Sequence, residues 1–475
     1  MKIRILPLVA VALITAGSLL SSCLNSDYEE IELPSVSSIK SFSLGTLYQT
    51  LYKGSSTGQD TIDTISFAKY PFVIDQLNRK IYNVDSLPKG VDISRALVNI
   101  SSDTEITYYN YSIDKKENDT IWTASDTLDL TRGLILKVLT YSPTYNEFRF
   151  GEPYHVTVNV HKFNPDSLVW KHFDSPAFAA NLSEQKAVYA NNYLYVFGKD
   201  NAGTKAYRIN AQKGNINGGW ENVNLVSASD INIHSALAYK NNVYYVADGK
   251  LYNLSDNTQY GSETGLSSLI SVSNGYMLAY RNSDQTFIAL DENGTKNADA
   301  GTLDGNDNLS GRISAVSYQA DHNSDLWRTV VMSNNAGVAT TDTTANVFSY
   351  ISSEDNWIKN TPNNPATCPD LDNITMVRYD GKLYAFGGKN GSDTGAFESF
   401  YYSDNNGFDW RTESNEYMTF ETNDNGDNVL AGYYNDKPYS CIVETDSEGK
   451  ESFIWFIWYD GKISRCHLNK YAPKN

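Results

Sequence analysis

Cysteine is scarce in this sequence, which excludes a fold held together by disulfides. Four cysteines occur among 475 residues, and the first of them lies in the N-terminal leader. Small disulfide-stabilised domains carry cysteines at a much higher density. We expect Cys368, Cys441 and Cys466 to be buried as small apolar side chains. A disulfide between Cys441 and Cys466 is the alternative, and an odd count would still leave one thiol free.

Motifs for metals, cofactors and catalysis are missing as well. The six histidines form no HExxH pattern, the cysteines form no CxxC pair, and no phosphate-binding glycine loop follows a strand and opens a helix. The stretch NDNGDN (423–428) does not fit an EF-hand, because Gly432 stands where the final Glu is required. A solvated turn explains this stretch better than a weak calcium site. The sequence therefore predicts no metal site, no cofactor and no catalytic residue.

Positive charge is in deficit. The chain holds 38 Lys and Arg residues against 56 Asp and Glu residues. Residues 1–22 contain two of the basic residues and no acidic one, so their removal would leave a net charge of −20. A net negative charge of this size disfavours binding to nucleic acid and to anionic lipid surfaces, and it favours solubility.

Long apolar runs are confined to the N-terminus. Two basic residues precede a mostly apolar stretch, residues 5–20, which is short for a membrane span of about 20 residues and typical of a secretory signal. The sequence LSSC (20–23) resembles a bacterial lipobox, in which the cysteine is lipidated after cleavage. The resemblance implies a signal peptide over residues 1–22 and a lipid anchor on Cys23. An ordinary signal peptide with an incidental cysteine is the alternative.

An acidic segment follows Cys23. It resembles the surface-export signal of Bacteroidota lipoproteins, and the residues that carry the likeness are Ser26, Asp27, Glu29 and Glu30. The resemblance implies an outer-membrane lipoprotein that faces the extracellular side and is held to the membrane by its N-terminal lipid alone. A solvated linker on a periplasmic protein is the alternative. We interpret residues 23–34 as the lipidated cysteine and its tether.

Helical periodicity is almost absent beyond this point, whereas aromatic residues are abundant. Short alternating apolar runs between Asn, Asp and Gly residues predict an all-β chain. Residues 35–163 contain about seven such runs, which favours an immunoglobulin-like β-sandwich without the Cys…Trp…Cys core of antibody domains. Residues 80–94 are interpreted as a loop because Pro88 and Gly90 interrupt them. The strand candidates are 37–44, 64–74, 96–100, 107–113, 133–142 and 154–163.

Residues 164–475 contain repeats. The segment VYANNYLYVFG (188–198) is followed 50 residues later by AYKNNVYYVAD (238–248), and MVRYDGKLYAFGG (376–388) has the same form. Each has two apolar runs joined by an Asn-Asn or Asp-Gly turn, the pattern of a β-hairpin. Three weaker copies complete a set of six units of about 50 residues, the period of a Kelch-type β-propeller. These copies are 269–280, 313–332 and 439–463.

Tryptophans are predicted to mark the outer strands of these units. Three of them close a unit, whereas one precedes the first unit and the sixth unit lacks its own. The strand around that early tryptophan is expected to complete the sixth blade and close the ring. This interpretation requires residues 167–172 to pair with residues 461–467. The four blade-marking residues are Trp170, Trp220, Trp357 and Trp410.

The stretch YYSDNNGFDW (401–410) resembles two propeller motifs. Gly387-Gly388 followed by a tyrosine and a tryptophan is similar to the Kelch signature. Residues 403–410 are similar to the Asp-box of sialidase-like propellers, Ser-x-Asp-x-Gly-x-Thr-Trp, with Asn and Asp replacing the motif's Asp and Thr. The resemblance implies a structural turn and not a metal or catalytic site. The residues that match or stand in the motif are Ser403, Asn405, Gly407 and Trp410.

The whole layout resembles two-domain surface lipoproteins of gut Bacteroidota, of the domain-of-unknown-function 6242 type. The resemblance implies an immunoglobulin-like sandwich followed by a six-bladed Kelch-like propeller, and it supplies no activity. We expect a non-catalytic ligand-binding protein, with a glycan or another outer-membrane protein as partner and a role in nutrient uptake or adhesion. A sialidase-like, glycoside-cleaving enzyme and a structural partner of an outer-membrane complex are the alternatives. Arg312 begins a faint likeness to the Arg-Ile-Pro start of sialidases and is interpreted as flanking a strand.

One modification signal recurs along the chain. Triplets of Asp, then Ser or Thr, then an apolar residue or Thr resemble the O-glycosylation acceptor of exported Bacteroidota proteins, although such triplets also arise by chance. The acceptor residues would be Thr61, Thr64, Ser86, Thr120, Thr127, Ser167 and Thr343.

Overall fold

The described residues form an all-β chain with one short α-helix, α1 (Val429–Tyr434). They divide into two compact units, one ending at Lys162 and the other starting at Phe163. No helix in this part of the chain is long and apolar enough to cross a bilayer. The predicted signal peptide, Cys23 and the export signal lie outside the described residues. The computed structural model describes residues 36–51, 61–65, 70–104, 106–303, 309, 312–320, 323–334, 344–360, 366–389, 395–412, 418–445 and 450–471.

The described part of the first unit contains twelve strands, more than the seven predicted. They form a three-stranded sheet of order β1-β6-β9, a larger sheet of order β4-β5-β12-β10-β7-β8 with β11 beside β10, and the pair β2-β3. The strands are β1 (Ile39–Leu44), β2 (Leu47–Leu51), β3 (Thr61–Ile65), β4 (Phe72–Asp75), β5 (Lys80–Asn83), β6 (Ala96–Ser102), β7 (Thr107–Asn110), β8 (Thr120–Ile121), β9 (Thr127–Leu128), β10 (Leu134–Ser142), β11 (Glu147–Phe150) and β12 (Tyr154–Thr157).

One hydrophobic core joins the two larger sheets of this unit. Val98 from the first sheet packs in the same buried cluster as Leu136 and Tyr154 from the second. The loop predicted over residues 80–94 is wrong at its start, because β5 is a strand that buries alternate residues and pairs in parallel with β12. The predicted strand over 154–163 is too long, since β12 ends at Thr157.

The described part of the second unit contains six four-stranded antiparallel sheets. We number them along the chain, and sheet 6 takes its fourth strand from the start of the unit. Sheet 1 is β14 (Glu184–Ala190), β15 (Tyr193–Asp200), β16 (Gly203–Gln212) and β17 (Asn215–Val223); sheet 2 is β18 (Ile231–Tyr239), β19 (Asn242–Ala247), β20 (Lys250–Asn253) and β21 (Thr258–Tyr260); sheet 3 is β22 (Ser268–Ser273), β23 (Tyr276–Arg281), β24 (Thr286–Leu290) and β25 (Lys296–Thr302). Sheet 4 is β26 (Ile313–Ala320), β27 (Asn323–Ser333), β28 (Asn346–Ile351) and β29 (Ile358–Lys359); sheet 5 is β30 (Thr375–Tyr379), β31 (Lys382–Phe386), β32 (Tyr401–Ser403) and β33 (Arg411–Thr412); sheet 6 is β34 (Tyr439–Thr445), β35 (Glu451–Trp458), β36 (Ile463–Leu468) and β13 (Leu168–Phe173).

The predicted hairpins form the first two strands of these sheets. Asn191 and Asn192 join β14 to β15 with φ angles of 51° and 62°, the left-handed conformation that a two-residue hairpin turn requires. The second hairpin corrects the prediction, because Lys240 and Asn241 form its turn and Asn242 already belongs to β19. The two turns are therefore 49 residues apart and not 50.

The predicted pairing between the start and the end of the second unit is present. Leu168 to Phe173 pair antiparallel with Leu468 to Ile463, residue by residue. The first strand of each sheet also lies beside that of the next sheet, and β34 lies beside β14. Hydrophobic clusters fill the spaces between neighbouring sheets, as where Phe197 meets Tyr245 at 5.5 Å between ring centroids.

Candidate functional site

The stretch 403–410 forms a turn held by its own polar side chains. The Ser403 hydroxyl accepts a hydrogen bond from the Gly407 amide and donates to Asn405 Oδ1, both at 2.9 Å. Asn405 Oδ1 accepts from the Asp409 amide at 2.9 Å, and the Trp410 indole donates to the Gly407 carbonyl at 3.1 Å. Since these groups satisfy one another, they form a structural turn.

The same turn presents two other side chains outward. Trp410 is buried with residues of sheets 4 and 5, whereas Asp404 and Asn406 are exposed. Asp404 and Asn406 border a cavity of about 400 Å³ between sheets 4 and 5. The ends of β26, β28 and β32, the start of β27 and the β30–β31 hairpin provide the rest of its lining. This volume lies within the range of small-molecule sites.

Two groups in the cavity are available to a ligand, and a third polar group at its wall lacks a partner. The Trp327 indole is half-buried and makes no hydrogen bond among the described residues. The Asp404 carboxylate has no ion pair within the described part of the chain. One terminal nitrogen of Arg328 is buried without a hydrogen-bond partner there. A buried donor without a partner costs about 1–3 kcal/mol, so a turn of the Arg328 side chain that brought this nitrogen to an acceptor in the cavity would recover that cost.

Neighbouring residues hold this lining in place. The Tyr318 hydroxyl donates to Asn406 Oδ1 at 2.6 Å, and the Arg378 guanidinium lies 4.9 Å from the centre of the Tyr318 ring. Arg378 also donates to Glu451 at 2.7 Å. Burial raises the pKa of the Glu451 carboxyl, and the charge of Arg378 opposes that rise. The Tyr318 ring and the Arg378 guanidinium are therefore held in place before any ligand binds.

A Ser-His-Glu arrangement elsewhere in the second unit has the distances of a catalytic triad. His172 Nδ1 lies 2.8 Å from the Ser464 hydroxyl and Nε2 lies 2.5 Å from Glu421. Ser464 is 0% exposed, however, and its oxygen accepts from the Trp458 indole at 2.9 Å. A substrate cannot reach that hydroxyl, so we assign these contacts to holding β13 against the segment before α1.

The other residues singled out in the sequence lie apart from the cavity. Trp170 and Trp220 lie in the fourth strands of sheets 6 and 1, and Trp357 directly precedes β29. The turn 423–428 is held by Asn423, which accepts from the Asp427 amide at 2.9 Å. The described residues hold no group of three or more His, Cys, Asp or Glu side chains suited to a metal ion.

The cysteines and the glycosylation triplets are placed as follows. Cys368, Cys441 and Cys466 are free thiols, and burial raises the pKa of each. The alternative of a Cys441–Cys466 disulfide is therefore wrong. Of the proposed acceptor residues, three are exposed and two are half-buried, while Thr343 and the Thr61 side chain lie outside the described part; the exposed ones are Thr64, Thr120 and Thr127, and the half-buried ones are Ser86 and Ser167.

The sequence indicated the turn but not the cavity. Trp327 and Arg328 lie in β27, which was interpreted as a plain repeat strand, and Asp404 and Asn406 are the positions of the turn that the motif leaves variable. A tryptophan that does not close a repeat unit was a weak signal, because Trp455 and Trp458 share this property with Trp327 and are buried in the core.

Comparison with known proteins bears on the family and the fold. The model described as the DUF6242 beta propeller domain matches residues 164–475, and the DUF6242 N-terminal domain matches residues 42–158. No curated protein matches the chain.

Solved structures give weak likenesses. A structural genomics protein of unknown function from Bacteroides thetaiotaomicron is 11% identical, with a TM-score of 0.39 over 78% of this chain and 94% of that chain. A catalytically inactive virginiamycin B lyase from Staphylococcus aureus is 9% identical, with a TM-score of 0.31 over 77% and 96%. A family 117 glycoside hydrolase from Zobellia galactanivorans is 10% identical, with a TM-score of 0.34 over 66% and 94%. None of these carries a conclusion about activity.

Proposed function

The chain belongs to the two-domain DUF6242 family, whose C-terminal domain is a β-propeller. We propose that it binds a saccharide at the cell surface without cleaving it. The N-terminal leader and the acidic tether support attachment through lipidated Cys23 on the outer face of the outer membrane. The role in nutrient uptake or adhesion expected from the sequence remains part of this proposal.

The observation that carries the proposal is the composition of the cavity between sheets 4 and 5. An indole offers a flat apolar face against the C–H groups of a sugar ring. The exposed Asp404 carboxylate accepts hydrogen bonds from sugar hydroxyls. A cavity of about 400 Å³ accommodates one or two sugar rings.

Binding without cleavage follows from the acid groups of the cavity. Glycoside hydrolysis uses two carboxyl groups, about 5–10 Å apart, on either side of the scissile bond. Asp404 is the one residue with a carboxyl group among the described residues that line the cavity. The alternative of a glycoside-cleaving enzyme would require a second carboxyl group there.

The architecture within which this site would act is part of the same proposal. Six four-stranded sheets whose first strands are neighbours in a cycle support a six-bladed propeller, closed where β13 joins sheet 6. The shared core of the two larger sheets supports an immunoglobulin-like sandwich in the first unit. The exposed acceptor triplets support O-glycosylation of that unit.

A glycan array tests the proposal. The lipid-free chain is applied as wild type, as Trp327→Ala and as Phe163→Ala, the last being a matched control because Phe163 is 67% exposed and lies outside the cavity lining. We expect wild type and Phe163→Ala to bind the same glycans and Trp327→Ala to lose them. Binding to no glycan, or undiminished binding by Trp327→Ala, would reject the proposal.

A further inference from the structure

A second set of polar groups lies where the first strands of the six sheets approach one another. Lys186 belongs to β14, and Arg312 directly precedes β26, three positions away in the cycle of first strands. Arg312 donates to the carbonyl of Tyr439, the first residue of β34, and β34 lies beside β14. Lys186 and Arg312 therefore both belong to the central space that the first strands surround.

Arg312 is fixed by neutral partners. Its guanidinium donates to the Tyr439 carbonyl at 2.8 Å and to the Thr375 hydroxyl at 2.9 Å, and a third, longer hydrogen bond of 3.3 Å reaches Asn373. It also lies 5.0 Å from the centre of the Tyr439 ring. These partners orient the cation but leave its charge uncompensated, since no carboxylate pairs with it among the described residues.

Lys186, like Arg312, forms no ion pair among the described residues. It is half-buried and shares one face of β14 with Glu184. The Glu184 carboxylate, however, lies 3.5 Å from Lys199 and 3.7 Å from His234 Nε2, whereas no ion pair to Lys186 occurs within the described part of the chain. Burial, then the charge of Arg312, lowers the pKa of Lys186 to about 8.

His234 reports the same excess of positive charge. Burial together with Arg312, Lys186 and Lys199 lowers its pKa to about 3, so its ring is neutral at pH 7. Its Nδ1 atom is buried without a hydrogen-bond partner among the described residues. Two partly buried cations without a carboxylate partner and an unsatisfied ring nitrogen around one space indicate an anionic partner, because an opposite charge stabilises a cation that is partly removed from water.

We propose that this central space binds an oxyanion, with Lys186 and Arg312 as the cationic groups on either side of it. A carboxylate, a sulfate and a phosphate group share this chemistry: each accepts several hydrogen bonds and carries the negative charge that the space lacks. The site is distinct from the saccharide cavity between sheets 4 and 5, and it stands whether or not that cavity binds a sugar.

Thermal unfolding with defined anions tests the proposal. The wild-type chain is titrated at pH 7 with sodium phosphate, sodium sulfate or sodium glucuronate, each against sodium chloride at equal ionic strength. We expect a saturable rise in melting temperature with at least one of the three anions, because a ligand that binds only the folded state stabilises it. Glucuronate alone would assign the site to an acidic sugar, and phosphate or sulfate alone would assign it to those groups.

Two variants separate a site from a general salt effect. In Lys186→Gln we expect the concentration for half of the rise to increase by about ten-fold or more, the cost of losing one charged hydrogen bond. Lys240→Gln is the matched control, because Lys240 is an exposed lysine paired with Glu292 at 2.7 Å. No saturable rise with any anion, or equal responses in both variants, would overturn the proposal. Lys186→Met, which also removes the uncompensated charge, provides the same comparison if Lys186→Gln does not fold.

Discussion

Ser403 is the residue on which the turn of sheet 5 depends most. Its hydroxyl connects Gly407 and Asn405, and the side chain is almost fully buried. Ser403→Ala would leave the Gly407 amide without its acceptor, and we expect the free energy of unfolding to fall by about 1–2 kcal/mol. Denaturant titration measures this change.

The control for that variant is Ser227→Ala, since Ser227 is exposed. A surface substitution of this kind is expected to change stability by less than about 0.5 kcal/mol. Equal stability of the two variants would show that the turn does not depend on the Ser403 hydroxyl.

His467 gives the chain a pH-dependent stability. Burial, then the charge of Arg465, lowers its pKa from 6.5 to about 4. Between pH 6.5 and pH 4 the unfolded chain therefore binds a proton that the folded chain does not, so stability falls as the pH falls. At about 1.36 kcal/mol per pKa unit this loss is roughly 3 kcal/mol.

The variant His467→Gln removes this contribution. We expect its unfolding free energy to fall less steeply between pH 6.5 and pH 4 than that of wild type, as measured by denaturant titration at a series of pH values. His155→Gln, at an exposed position, should keep the wild-type slope. An unchanged slope in His467→Gln would contradict the assignment.

The residues of the turn could be predicted from the sequence, whereas those of the cavity could not. Ser403, Asn405 and Gly407 interact within five residues of one another, so a local pattern was sufficient to predict a turn. Trp327 and Asp404 meet only because sheets 4 and 5 are neighbours, and no local pattern expresses that.

Strand β13 joins the start of the second unit to its last sheet. All six of its residues pair with β36, and Trp170 packs against Phe456 at 5.5 Å and Phe420 at 6.1 Å between ring centroids. Trp170→Ala would leave a cavity beneath this strand, and we expect the free energy of unfolding to fall by about 2–4 kcal/mol. Calorimetric or denaturant unfolding checks the value.

Trp327→Ala is the matched comparison for Trp170→Ala. Its indole lines an open cavity and makes no ring contact within the described residues, so we expect a loss less than half as large. Equal losses in the two variants would contradict the view that β13 is fastened by its tryptophan.

Elements that are defined locally were predicted well. The hairpins of the second unit follow from apolar runs around short polar turns, and only the position of the second turn was wrong, because LysAsnAsn offers two overlapping two-residue turns. Strand β5 was missed because Pro88 and Gly90 follow it closely, although β4 ends just before it and forms a hairpin with it. Its parallel partner β12 lies far along the chain, and that second pairing is not encoded in the segment itself.

The proposed outer-membrane location of the molecule depends on lipidation of Cys23. If Cys23 carries the lipid anchor, Cys23→Ser should move the protein from the membrane fraction to the soluble fraction, because a single serine cannot be acylated in its place. Wild type should be cleaved on intact cells by added protease, which reports display on the outer face. Equal membrane association of wild type and Cys23→Ser would contradict lipid anchoring.

Calorimetric titration measures whether the cavity between sheets 4 and 5 binds a saccharide through Asp404. The strongest array glycan is titrated into wild type, Asp404→Asn and Asp424→Asn, the last being an exposed aspartate outside the cavity lining. We predict that Asp404→Asn weakens binding by roughly ten-fold or more, the cost of a charge-assisted hydrogen bond, while Asp424→Asn binds like wild type. Wild-type affinity in Asp404→Asn would show that the Asp404 carboxylate does not contribute to saccharide binding.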